Sequence, residues 1–280
     1  MRELSRERRV IFWDAAISLG GILLVALTFR AYQYFRPLQL HGAALLPVAP
    51  AEADARISAA KSAVADNPED IKGWSDLAIG YYQKGPDGYV DGLNALEKAE
   101  TLGSTDETLF YYAGVMYDAL GLPDYAINEF RKFLRYFPDH YESLVRLANV
   151  YFRMGRYDEA DQLYRQVLKQ WPKDPTVWFN FAVVAVKKGK LDEARAALER
   201  VHSLAGQLPA GGYFQEGEIA RLKGNEDAAL SLYAQEYQRN PSDLPSLEAA
   251  EAIERHRKNY KEAKVLHKRI TDLKHSQSNG

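Results

Sequence analysis

Leu147 to Ala160 reads LANVYFRMGRYDEA, and its internal spacing is that of two packed helices joined by a tight turn. Ala148 and Tyr151 lie three residues apart, on one face of a first helix. Gly155 ends that helix by taking up the left-handed backbone that side chains resist, and Ala160, five residues on, opens a second helix where the two cross. Outward from this stretch the pattern recurs. Gly121, Gly155 and Gly189 are spaced by 34 residues, Ala126, Ala160 and Ala194 follow each by five, and Phe130, Tyr164 and Leu198 come four residues later. A large and a small residue precede each glycine: Phe110 with Gly114, Leu144 with Ala148, Trp178 with Ala182. Pro138 and Pro172 close two units, and Asp139 or Asp174 after them is expected to cap the next helix. Such a period fixes the architecture, because one helix pair cannot bury its apolar face alone and must stack on its neighbours. The small residues are placed where backbones approach, and the large ones fill the space between units.

These residues resemble the tetratricopeptide repeat family, whose unit is a helix-turn-helix of this length. The resemblance implies an all-α solenoid of about six repeats, at 71–106, 107–140, 141–174, 175–208, 210–243 and 244–277. Three departures stand out. Gly85-Pro86-Asp87-Gly88 lengthens the inner turn of the first unit by two residues. Gly211 and Gly212 weaken the first helix of the fifth, at about 1 kcal/mol per glycine. Glu251 and Glu254 in the sixth stand where the family has small and aromatic residues, as suits a terminal cap. Residues 52–67, with Ala60 and Ala63 before Pro68, match only a second helix and are expected to cap the array, so the repeat domain is placed at 52–277 with 278–280 as a tail.

The composition narrows the chemistry. The chain has 280 residues, 36 basic against 38 acidic, a balance that argues against a general nucleic-acid binder. With 46% hydrophobic residues and only 12 prolines the chain has ample apolar surface to bury, and wholesale disorder is excluded. The absence of cysteine removes disulfides, thiolate nucleophiles and cysteine-based metal sites. No phosphate-binding loop, dinucleotide fingerprint or HExxH motif occurs, and the six histidines include no pair four residues apart. The sequence therefore points away from an enzyme, and no cofactor, metal or small-molecule substrate is expected.

One further segment has its own signature. Val10 to Phe29, VIFWDAAISLGGILLVALTF, is a run of 20 residues whose only charge is Asp14, long enough as a helix to span a bilayer. Arg2, Arg6, Arg8 and Arg9 precede it, whereas Arg30 and Arg36 follow. The positive-inside rule then places residues 1–9 in the cytoplasm and the repeats outside it. Arg30 stands where a small-residue cleavage site would be needed, so an uncleaved anchor is expected. Asp14, one turn inside the cytoplasmic end, is read as reaching the interface. Residues 30–51, with Pro37, Pro47 and Pro50, read as an interfacial segment and semi-extended tether.

The resemblance also implies a partner surface. Family members present ligand-facing residues at the second, fifth, ninth, twelfth and thirteenth positions of each first helix. In this chain these include Tyr82 in the first unit, Tyr111, Val115 and Asp118 in the second, and Val145, Asn149, Phe152 and Arg153 in the third. The fourth supplies Phe179, Val183, Val186 and Lys187, and the fifth Phe214, Glu218 and Arg221. Tyr111, Phe152 and Phe179 are expected to form one apolar stripe suited to an extended peptide or an amphipathic helix. Asn149 and Asn180 sit where some members hold a peptide's terminal carboxylate, but Val145, Gly211 and Gln215 occupy the basic positions of that clamp. The asparagines are therefore expected to satisfy backbone or peptide polar groups. Together the features imply a scaffold that binds a protein partner from a bacterial-type inner membrane, single-pass, with its repeats in the periplasm as part of an envelope assembly. A chaperone or quality-control factor holding newly translocated chains is the alternative. A third reading turns the same repeats to the cytoplasm as a regulatory subunit.

Overall fold

The computed structural model describes residues 49–278. Thirteen α-helices run through them, with no strand among the described residues. None of these helices is long and apolar enough to cross a membrane; the expected anchor at 10–29 and most of the tether lie outside the described residues. The helices fall into two compact units, 49–143 and 144–278.

The first unit holds α1 (Pro50–Asp66), α2 (Ile71–Lys84), α3 (Tyr89–Thr101), α4 (Thr108–Ala119) and α5 (Pro123–Tyr136). Between α2 and α3 the extra residues Pro86–Gly88 form one turn of 3-10 helix. The core joins Ile57 and Ala60 of α1 to Leu77, Ala78 and Tyr81 of α2, Ala95 and Leu96 of α3, and Leu109 and Met116 of α4. The helix α1 thus lays its Ala53, Ile57 and Ala60 face against the first pair.

The second unit takes in nearly all of α6 (Tyr141–Arg153), then α7 (Tyr157–Gln170), α8 (Pro175–Lys187), α9 (Leu191–Ala205), α10 (Gly212–Leu222), α11 (Glu226–Arg239), α12 (Leu244–His256) and α13 (Tyr260–Ser278). Its helix pairs begin and end within a few residues of the boundaries read from the sequence. Ala160, Ala194 and Ala229 open second helices and are fully buried. Gly217 belongs to the same crossings: a Cβ there would lie 2.5 Å from the Tyr233 ring.

From the second unit onward the inner turns follow one rule with one exception. Gly121, Gly155, Gly189 and Gly224 all have φ between 70° and 80°. In the sixth unit Lys258 takes this place with φ 60°, at the strain a side chain meets in the left-handed region. The helix starts are more varied. Asp174 caps α8 by accepting from the amides of Thr176 and Val177, at 2.8 and 3.3 Å. Asp139 was expected to cap α6, but the cap is its neighbour His140, whose Nδ1 accepts the Ser143 amide at 3.3 Å. The correction has a geometric cause: α6 starts at Tyr141, so His140 is the flanking residue that faces the first free amides. Gly211 and Gly212 are served by a buried carboxylate. Glu236 of α11 accepts from the amides of Gly211 (2.8 Å) and Tyr213 (3.0 Å), supplying from across the pair the negative end that the N-terminus of α10 calls for.

Candidate partner-binding surface

The inner hydrogen bonds of two repeats share one design. In the third repeat the buried Tyr164 hydroxyl of α7 donates to the carboxamide oxygen of Asn149 on α6. In the fifth, Tyr233 of α11 donates to the Glu218 carboxylate on α10. In the second and fourth repeats the same two places are apolar, Val115 with Phe130 and Val183 with Leu198, all buried. Asn149 therefore has its oxygen engaged by a tyrosine of its own repeat.

Glu218 is held further by Arg221, whose Nε and an Nη donate to it at 2.9 and 2.7 Å. Burial alone would push this carboxyl up, but the Arg221 and Tyr233 hydrogen bonds and the charges of Arg221 and Lys187 hold it below the usual range. Burial and the Glu218 carboxylate push the Tyr233 hydroxyl well above the ordinary phenol range, so it stays a donor.

The expected open apolar stripe is not present. Phe179 is 1% exposed, Phe152 6% and Tyr111 7%, and Val115, Val145, Asn149, Asn180, Val183 and Val186 are buried as well. The position rule assumes that each first helix keeps one face towards solvent. The helix α8, PTVWFNFAVVAVK, is apolar nearly all round and is covered on every side from Phe179 to Val186; helices of that composition are buried ones. Tyr111 is enclosed by the rings of Phe133 and His140, each with centroid at 5.6 Å, and by Tyr112 and Phe130. Phe152 rests against Tyr157.

The remaining expected residues keep solvent access. Tyr82 is half-buried, stacked 6.4 Å from Tyr89 and tilted against Tyr112 at 4.8 Å in the first unit. In the second unit Arg153 and Phe214 are half-buried, and Lys187 and Arg221 are exposed. Arg153, Lys187 and Arg221 are spaced by 34 residues, at or near the C-terminal ends of α6, α8 and α10. Each of the three first helices thus carries a cation where the helix dipole favours positive charge; Arg221 stands one residue before Leu222, the equivalent of Lys187, because the turn glycines of the fourth and fifth repeats are 35 residues apart.

An ion-pair network that the sequence did not reveal ties α7 to the turn after α8. Asp161 is buried and receives Lys188 Nζ at 2.7 Å and Arg165 Nε at 3.0 Å, with Lys190 at 3.7 Å, while Lys188 also reaches Asp158 at 2.8 Å. An aspartate on the second helix resembles any solvated carboxylate until the next repeat is stacked on it.

The sequence pattern of the Tetratricopeptide repeat family matches residues 117–175, 145–209 and 179–245. The CTR9 homolog of Arabidopsis thaliana is 30% identical over 117 residues, 41% of this chain and 11% of that protein. The chain thus spans about a tenth of that relative. Among solved structures, the tetratricopeptide repeat protein YrrB, described as having an unusual peptide-binding site, aligns over 69% of this chain and 98% of its own with TM-score 0.57 and 22% identity. A tetratricopeptide repeat protein of Parabacteroides merdae aligns over 80% of this chain and 87% of its own with TM-score 0.59 and 15% identity. Period, turn glycines, buried crossing alanines and matched pattern agree, and over residues 117–245 the chain is similar to the tetratricopeptide repeat family.

Proposed function

We propose that this protein is a membrane-tethered adaptor whose repeats dock a protein partner along the cationic row Arg153, Lys187 and Arg221. The observation that carries the reading is the combination of buried apolar positions on the first helices with cations that keep solvent access at their C-terminal ends. Such a surface suits an extended partner segment bearing acidic side chains. The tether comes from the apolar run 10–29, and its flanking arginines favour a cytoplasmic N-terminus and extracytoplasmic repeats in a bacterial-type envelope. The holdase alternative draws less support, because a surface that captures unfolded chains needs exposed apolar area, and Tyr111, Phe152, Phe179 and the valines expected to line the groove are buried.

The test is co-purification of the full chain from membranes in mild detergent. One partner in stoichiometric yield is expected, lost on Lys187→Glu without change in the melting curve. Recovery of many unrelated chains, insensitive to that reversal, would favour the holdase instead.

A further inference from the structure

Between α9 and α10 the second unit leaves a hollow of about 290 Å³, lined by Leu198, Glu199, His202, Leu208, Tyr213 and Glu216. Its apolar wall is Leu198 and Leu208, both buried. Glu216 occupies the place at which the other first helices carry Leu77, Ala113, Leu147, Phe181 and Ala250, every one of them buried. A carboxylate thus stands in a packing position, half-buried, where a repeat fold calls for an apolar side chain.

Four other carboxylates withdrawn from solvent in this unit have partners: Asp161 has Lys188, Glu218 has Arg221, Glu251 has Arg255 and Glu236 has backbone amides. Glu216 has no hydrogen-bond or ion-pair partner among the described residues. Burial raises its carboxyl above the usual range; His202 and Arg195 pull the other way, and the nearby Glu199 adds to the rise. Arg195 acts from a distance and forms no ion pair with it.

We infer that this crevice receives a basic side chain, arginine or lysine, of a bound polypeptide. The volume is that of a side-chain slot rather than of a cofactor site. Leu198 and Leu208 would cover the aliphatic stem, Glu216 and Glu199 would take the charge, and Tyr213 adds an aromatic ring of the kind that cations favour. The site is separate from the cationic row, so its success or failure leaves that reading untouched.

The probe is a pair of tripeptides, acetyl-Ala-Arg-Ala-amide and its citrulline counterpart, which share shape and differ in charge. They are titrated calorimetrically into the full chain in nonionic detergent. The arginine peptide is expected to bind at least about tenfold more tightly than the citrulline peptide, with the preference lost in Glu216→Gln and kept in Glu248→Gln, whose carboxylate lies on α12. Equal binding of the two peptides, no binding at millimolar concentration, or an undiminished preference in Glu216→Gln would overturn the proposal. If Glu216→Gln does not fold, carboxyl footprinting of the unaltered chain decides. The arginine peptide should then protect Glu216 and Glu199 several-fold relative to citrulline, and equal labelling of both carboxyls would refute the site.

Discussion

Tyr164 shows how one side chain can serve packing and polarity at once. Its ring is fully buried and its hydroxyl satisfies Asn149. Tyr164→Ala should cost about 3–5 kcal/mol through the cavity it leaves, and Tyr164→Phe only about 1 kcal/mol, because the ring stays and one hydrogen bond goes. Denaturant unfolding of the pair separates the two effects; equal losses would mean that the hydrogen bond, not the ring, carries the position. Lys258 makes the opposite case. It holds a left-handed turn that glycine takes in the repeats before it, so Lys258→Gly should raise stability by up to about 1 kcal/mol, whereas Gly155→Ala should lower it by about as much. A lower melting temperature for Lys258→Gly would contradict this account of the turn.

Helix starts and helix joints respond to pH in two windows. The His140 ring accepts the Ser143 amide, and burial holds its pKa below 6.5. A folded pKa below the unfolded one gives stability that is present above pH 6.5 and lost as pH falls through the folded value. His140→Asn keeps a capping oxygen without a titrating ring and should remove that decline in thermal melts between pH 7 and pH 5. Burial would raise the Asp161 carboxyl, but the Lys188 hydrogen bond and the charges of Arg165, Lys188 and Lys190 outweigh it and set it below 3.8. Its contribution is therefore complete above that value and lost on further acidification. Asp161→Asn should cost about 1–2 kcal/mol at pH 7 and less at pH 3; a constant cost across that range would show that the charge does not matter.

The helix pairs were legible in the sequence because glycine, alanine and proline at a fixed period each have a backbone reason to be there. The cap at α6 was misread by one residue, since Asp139 and His140 are adjacent and only the backbone shows which one flanks the helix. The apolar groove was misread because position within a repeat says which way a residue points, not whether anything covers it. A warning was present in Phe179-Asn180-Phe181-Ala182-Val183-Val184-Ala185-Val186, which has no polar face. Glu216 and Glu236 could have been singled out as charges at packing positions, although only the fold distinguishes the capping carboxylate from the unpaired one.

The proposed adaptor combines a membrane anchor, a tether and a docking array. Alkaline phosphatase fused after Leu46, ahead of α1, should be active if the repeats lie outside the cytoplasm; fluorescence from a green fluorescent protein fusion at the same point, with an inactive phosphatase, would reverse the orientation. The central claim is that the partner meets the cationic row, and photocrosslinking in intact cells tests it most directly. A photoreactive residue at Lys187 or Arg221 of the full chain should give one discrete adduct of the same partner, and one at Lys169, exposed on α7, should give none. Adducts from Lys169 with none from Lys187 and Arg221 would contradict the account.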